Sequence, residues 1–98
     1  MNLRERLIEL KDKVYSITIG DDKFYYKHFK SSFRPLIKTA TDDVKADCLI
    51  FALCVCDEKG EQLFSVDEVE LISDIPRHIV TSLVVAAISG DEKKQQGD

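Results

Sequence analysis

A chain of 98 residues, 44% hydrophobic and 33% charged, has the balance of one folded domain that buries a modest core. Its net charge of −4 argues against nucleic acid as the main partner, because neutralising phosphate needs clustered Lys and Arg. No apolar run reaches the roughly 20 residues that span a bilayer, MNLRERLIEL is no signal peptide, and three cysteines within 48–56 suit reduced thiols, so the expected place is the cytoplasm.

Residues 2–13 read as an amphipathic helix. Leu3, Leu7, Leu10 and Val14 fall at i, i+4, i+7 and i+11, one stripe of a 3.6-residue repeat, with charges on the other faces and Asn2 as N-cap. The plain expectation is a helix packed on the domain; a stripe that binds a partner is the alternative. Residues 14–29 then alternate in period two. Tyr15, Ile17 and Ile19 share one face, Gly20-Asp21-Asp22 makes a turn, and Phe24 and Tyr26 share a face of the returning arm. That is a β-hairpin, and a lone hairpin must lean on the helices or on another subunit's edge. Its Tyr, Tyr and Lys residues could stack on nucleic acid, but the acidic turn and acidic chain weigh against it.

Residues 31–38 suggest a short helix capped by Ser32, with Pro35 in its first turn. Thr39 or Thr41 should cap the next helix, residues 42–56, with Asp42 and Asp43 near its positive end. One stripe of that helix is Val44, Cys48, Phe51, Ala52 and Val55; a second is Leu49, Ile50, Leu53 and Cys56. No charge interrupts it between Asp47 and Asp57. Gly60 breaks the chain in an acidic loop, and Leu63 and Phe64 lead back to the core. Ser65 and Glu68 form a capping box before a short helix whose Val66, Val69 and Ile72 face inward. Asp74 should cap a last helix with Pro76 in its first turn, Gly90 at its end, and a stripe of Ile75, Ile79, Leu83 and Ala86. Residues 91–98 read as a solvated, disordered tail.

The fold class expected is therefore mainly α within α+β: an N-terminal helix and a small β-hairpin, then a bundle of three to four short helices, in one domain over 1–90. The two apolar helices carry more apolar surface than so small a domain can easily cover. Leu49, Ile50, Leu53, Val80, Val84, Val85 and Ile88 are accordingly expected in a protein–protein interface.

No constellation of residues carries chemistry. Cys54 and Cys56 point roughly 160° apart on a helix, His28 and His78 lie far off in sequence, and no metal-ligand spacing exists. Residues 57–68 have the length of a calcium loop, but Lys59 and Gln62 stand where a ligand and the required glycine belong. No spacing selects a catalytic triad, and there is no glycine-rich phosphate loop. The expectation is a non-enzyme with no catalytic residue, cofactor or metal.

The segment LIFALCVCDEKGEQLFSVDEVELISDIP, continued by HIVTSLVVAAISG, resembles the tail assembly chaperones of long-tailed bacteriophages. The marks are an apolar helix, then Asp57, Gly60, Leu63 and Phe64, then Asp67, Glu68 and Val69, a turn, and a last apolar helix; VYSITIGDDKFYYKHF matches the hairpin that precedes them. The pronounced leading helix, Cys54, Cys56 and 76–78 depart from that pattern. The resemblance implies a protein that binds and solubilises the tape measure protein during tail morphogenesis in the infected cytoplasm. It also implies recruitment of tail tube protein, self-association as a ring or spiral, no nucleic-acid or membrane partner, and absence from the mature virion. A longer frameshifted form is implied too, for which Lys93-Lys94 could be a slippery run. The other readings are a head–tail or minor tail structural protein, or a small protein-binding adaptor.

Overall fold

The computed structural model describes residues 2–89; the expected helix end at Gly90 and the tail at 91–98 lie outside the described residues. Helix α1 covers Leu3–Leu10, strands β1 and β2 cover Tyr15–Ile19 and Asp22–Tyr26, and α2 covers Arg34–Ile37. Helix α3 covers Asp43–Cys54, strand β3 Val55–Cys56, α4 Val69–Ser73 and α5 Arg77–Ser89. The architecture is mainly α, with a small antiparallel sheet in the order β1-β2-β3.

The hairpin forms as its alternation demands. Tyr15 faces Tyr26, Ile17 faces Phe24 and Ile19 faces Asp22. The loop is Gly20 and Asp21; Gly20 has φ 64, while Asp21 keeps a negative φ, the pattern of a turn with glycine at its first central position. Asp22, expected in the turn, is the first residue of β2. The hairpin leans on α3 and its continuation: Tyr25 faces Cys56 and Tyr26 faces Val55.

That pairing corrects the helix expected over 42–56. Helix α3 stops at Cys54, and Val55 turns extended, with φ −78 and ψ 136. The cap residue and two other segments take up carbonyls of the last turn, which a helix end leaves open. The Val55 amide reaches Phe51 O, Gln62 Nε2 donates to Ala52 O at 3.0 Å, and the Lys27 amide donates to Cys54 O at 2.8 Å. Thr39 and Thr41 do not cap α3. Asp42 does, accepting from the Lys45 amide at 2.8 Å, while Thr39 bonds Leu36 O behind it. Ser32 caps nothing either; residues Ser31–Phe33 form a 3-10 turn entered from Lys30. Asp74 ends α4 rather than starting α5, and Pro76 stands just before α5 and accepts from the Ile79 and Val80 amides.

The core lies where α3, α4 and α5 meet the inner face of the sheet. Tyr26, Cys48, Phe51, Ala52, Cys54, Ile72, Leu83 and Ala87 are its buried members, and Val66 and Val69 pack at its margin. Tyr26 is stacked against Tyr15, with centroids 5.8 Å apart. The C-terminal turn of α5 is tied to the strand side, because the Phe29 amide donates to Ala87 O at 3.0 Å. The box of Ser65 and Glu68 closes the turn before α4, with the Ser65 amide 2.8 Å from Glu68 Oε1.

Candidate functional site

The residues expected at an interface divide sharply. Leu49 and Ile50 on α3 and Val80 and Val84 on α5 are buried within the single chain, and Leu53 is half-buried. The tertiary fold therefore covers most of the surface that had looked surplus. Helices α4 and α5 pack directly on α3, and Tyr15, Ile17, Ile19 and Phe24 of the hairpin close on the same core. Val85 and Ile88 remain outside, 56% and 55% exposed, one turn apart on the outer face of α5.

A second apolar surface lies on α1. Leu3 is 76% exposed, Leu7 63% exposed, and Ile8 is exposed beside them. The helix buries no residue, which corrects the expectation of a packed helix. Asn2 and Glu5 nonetheless close a full capping box at its start. Local chemistry thus specifies the helix; Leu3 and Leu7 of its stripe face solvent, and Leu10 is half-buried. Sequence carried one signal of this. The linker Lys11-Asp12-Lys13 is fully polar, and Asp12 pairs with Lys11 and Lys30 at the surface instead of drawing α1 onto the core.

Two further residues differ from expectation. Leu63, read as returning to the core, is exposed; Phe64 alone turns in, with its ring 5.8 Å from that of Phe51. Val44 lies outside at the start of α3, near the Arg77–Asp47 ion pair that ties α5 to α3.

The turn at 57–61 is held from within. Asp57 Oδ1 accepts from the Lys59 amide at 2.8 Å and the Glu61 amide at 3.0 Å. The Glu61 amide foremost, and those of Lys59 and Gly60, hold the Asp57 carboxyl below the usual range. Gly60 has φ 88, and a Cβ there would lie 3.1 Å from Val14 Cγ2. The turn borders an open groove of about 520 Å³ lined by Phe24 and Tyr25 on one side and Glu58, Lys59 and Leu63 on the other. Its mixed lining offers contacts and no evident reacting group.

The three cysteines are free and buried. Burial pushes the Cys54 thiol up to about 12 and raises Cys48 and Cys56 as well, which leaves none of them poised as a thiolate. Among the described residues no three His, Cys, Asp or Glu side chains gather as a metal site would require. His28 packs flat on Tyr15, with centroids 4.0 Å apart, and His78 is on the surface. Among the described residues no helix is long and apolar enough to cross a membrane.

The chain matches no family model, no curated protein and no solved structure. Its site is accordingly described by its own surfaces: the outer end of α5 and the free stripe of α1.

Proposed function

We propose that this chain is a non-enzymatic tail assembly chaperone of the long-tailed phage type. It binds the tape measure protein in the cytoplasm of the infected host, keeps it soluble, and is left out of the finished virion. The observation that carries the reading is the exposure of Val85 and Ile88 on α5 while Val80, Leu83, Val84, Ala86 and Ala87 of the same helix are buried in the core. An apolar pair held on a rigid helix suits the helix-in-groove contacts that a long amphipathic helix makes. The order of elements supports it too: a hairpin, an apolar helix, the Asp57–Gly60 turn, a short helix and a last apolar helix are what the resemblance implies. Recruitment of tail tube protein would fall to a longer frameshifted form. The coding DNA tests that part, since the codons of Lys93 and Lys94 must form a homopolymeric run.

The test of the whole reading is co-expression with the long, helix-rich protein encoded beside this one, scored by soluble yield and co-purification. The expected result is that the partner becomes soluble and elutes with this chain. Val85→Asp with Ile88→Asp should abolish both effects while far-UV dichroism stays unchanged. A partner that remains insoluble beside a well-folded chain overturns the reading. Detection of the protein in purified virions would point instead to a structural part of the particle.

A further inference from the structure

Helix α1 buries no residue, yet its side chains are sorted by charge around its axis. At roughly 100° per residue, Leu3, Leu7 and Leu10 fall within an arc of about 60°. Arg6 lies about 65° to one side of the centre of that arc, and Lys11 and Arg4 lie about 75° and 95° to the other. Lys11 belongs to the same spiral, because its backbone is still helical at φ −64 and ψ −26. Glu5 and Glu9 lie on the far side, at least about 125° from the centre, and Ile8 falls beyond Arg4. Leu3, Leu7, Arg4, Arg6 and Lys11 are all exposed. A narrow leucine stripe is thus edged by bases on both sides, with acids behind it.

That charge pattern selects what can cover the stripe. A second α1 would set Arg and Lys against Arg and Lys, since both edges carry one sign. A bilayer surface calls for a polar face rich in Lys and Arg; here Glu5 and Glu9 fill that face, and the chain carries a net −4. A narrow stripe is instead the seam by which two helices pack. The acids behind it are engaged within α1: Glu5 Oε1 accepts from the Asn2 amide at 3.4 Å, and Glu9 pairs with Arg6 at 3.5 Å. The Arg6–Glu9 and Lys11–Asp12 pairs are exposed, and pairs of that kind are weak enough to yield to others. A helix of eight residues also gains from a cover, because so short a helix is marginal in water on its own.

We infer that α1 docks side by side with a helix of a different protein, one whose apolar stripe is edged on both sides by Asp or Glu. Leu3 and Leu7 fill the seam, with the half-buried Leu10 at its inner end. Arg6 meets acids along one edge, and Arg4 and Lys11 meet acids along the other. The capping box of Asn2 and Glu5 fixes the start of α1, so part of the ordering cost is met before the partner arrives. The inference stands apart from the chaperone reading. It rests on α1, whereas that reading rests on Val85 and Ile88 of α5, and it defines the partner by charge pattern whatever its role.

Two synthetic helices test it, each about three heptads long with Leu at the a and d positions. One carries Glu at e and g and the other Lys, and like charges keep either from pairing with itself. Each is titrated separately into the full chain, and binding is read from the amide resonances of residues 3–11. The Glu helix should bind and shift those resonances, and the Lys helix should bind at least about tenfold more weakly. Leu3→Asp with Leu7→Asp should abolish binding of the Glu helix and leave the thermal unfolding of the domain unchanged, since α1 buries no residue. Arg4→Glu with Arg6→Glu and Lys11→Glu should reverse the preference toward the Lys helix. A Glu helix that does not bind overturns the proposal. So do equal binding of the two helices and an edge-reversed variant that still prefers Glu. Shifts confined to α5 around Val85 and Ile88 overturn it too, and leave the chaperone surface standing. If α1 melts in the edge-reversed variant, salt decides instead: wild-type affinity for the Glu helix should fall as salt rises, and an unchanged affinity overturns the proposal.

Discussion

Tyr26 lies directly opposite Val55 in the sheet, and this pairing makes the hairpin part of the core. Tyr26 is wholly buried there. Next to it, the Lys27 amide takes the carbonyl of Cys54, so one short stretch of β2 and its continuation both ends α3 and anchors the sheet. The hairpin would otherwise be marginal in water.

Truncation at that position should therefore be severe. Tyr26→Ala is expected to cost about 3–5 kcal/mol, in the range for large buried aromatics, and to lower the urea midpoint accordingly. A loss under about 1 kcal/mol would mean that the sheet is peripheral to stability.

Val84 and Val85 are neighbours with opposite fates, 5% and 56% exposed. Val84→Asp would leave an unpaired charge in the core, costing on the order of 3–5 kcal/mol and unfolding a marginal domain. Val85→Asp should change stability by no more than about 0.5 kcal/mol. Thermal melts of the two variants side by side separate core from surface on α5.

Gln62 holds two carbonyls at once, donating from Nε2 to Ala52 O at 3.0 Å and Phe64 O at 2.6 Å. Gln62→Leu keeps the bulk and removes both bonds, leaving the end of α3 underserved; about 1–3 kcal/mol should be lost on denaturant unfolding. Gln62→Glu should not rescue it, since a carboxylate can only accept.

Gly60→Ala should cost more than Gly20→Ala. Both positions have positive φ, a strain of about 1–2 kcal/mol for an L side chain. Only at Gly60 does the added methyl also meet a neighbour, Val14 Cγ2 at 3.1 Å, whereas nothing lies within 4 Å at Gly20. Denaturant midpoints of the two variants give the order directly.

The thiols imply a dependence on pH at the alkaline end. Burial raises the folded value of Cys54 from 9.0 to about 12, and raises Cys48 and Cys56 in the same sense. A raised acid binds its proton more tightly in the folded state. Its contribution is thus whole below 9.0 and is lost as pH climbs toward about 12. The thiol contribution to the urea midpoint should be level through neutral pH and fall above pH 9. Alkylation of the folded protein at neutral pH should be slow at all three cysteines and become fast on unfolding.

What the sequence determined by itself was local. The period-two run at 15–26 with Gly20 in its loop, the N-cap at Asn2, the box of Ser65 and Glu68, and the positive φ of Gly60 follow from chemistry between near neighbours, and each is found in the fold. The mainly α class with a small sheet was legible for the same reason. The tertiary structure decided what covers what. Val55 and Cys56 continue a helical apolar pattern, and only the open edge of β2 turns them into a strand. Leu49, Ile50, Val80 and Val84 are as apolar as Val85 and Ile88, and the stripe of α1 is as regular as any in the chain. Periodicity says that a face is apolar; it does not say whether another segment lies over it. That depends on contacts between residues far apart in the chain, such as Tyr26 with Val55, Gln62 with Ala52 and Phe29 with Ala87. Those contacts bury one set of side chains and leave the other, with the edge of β1, facing outward.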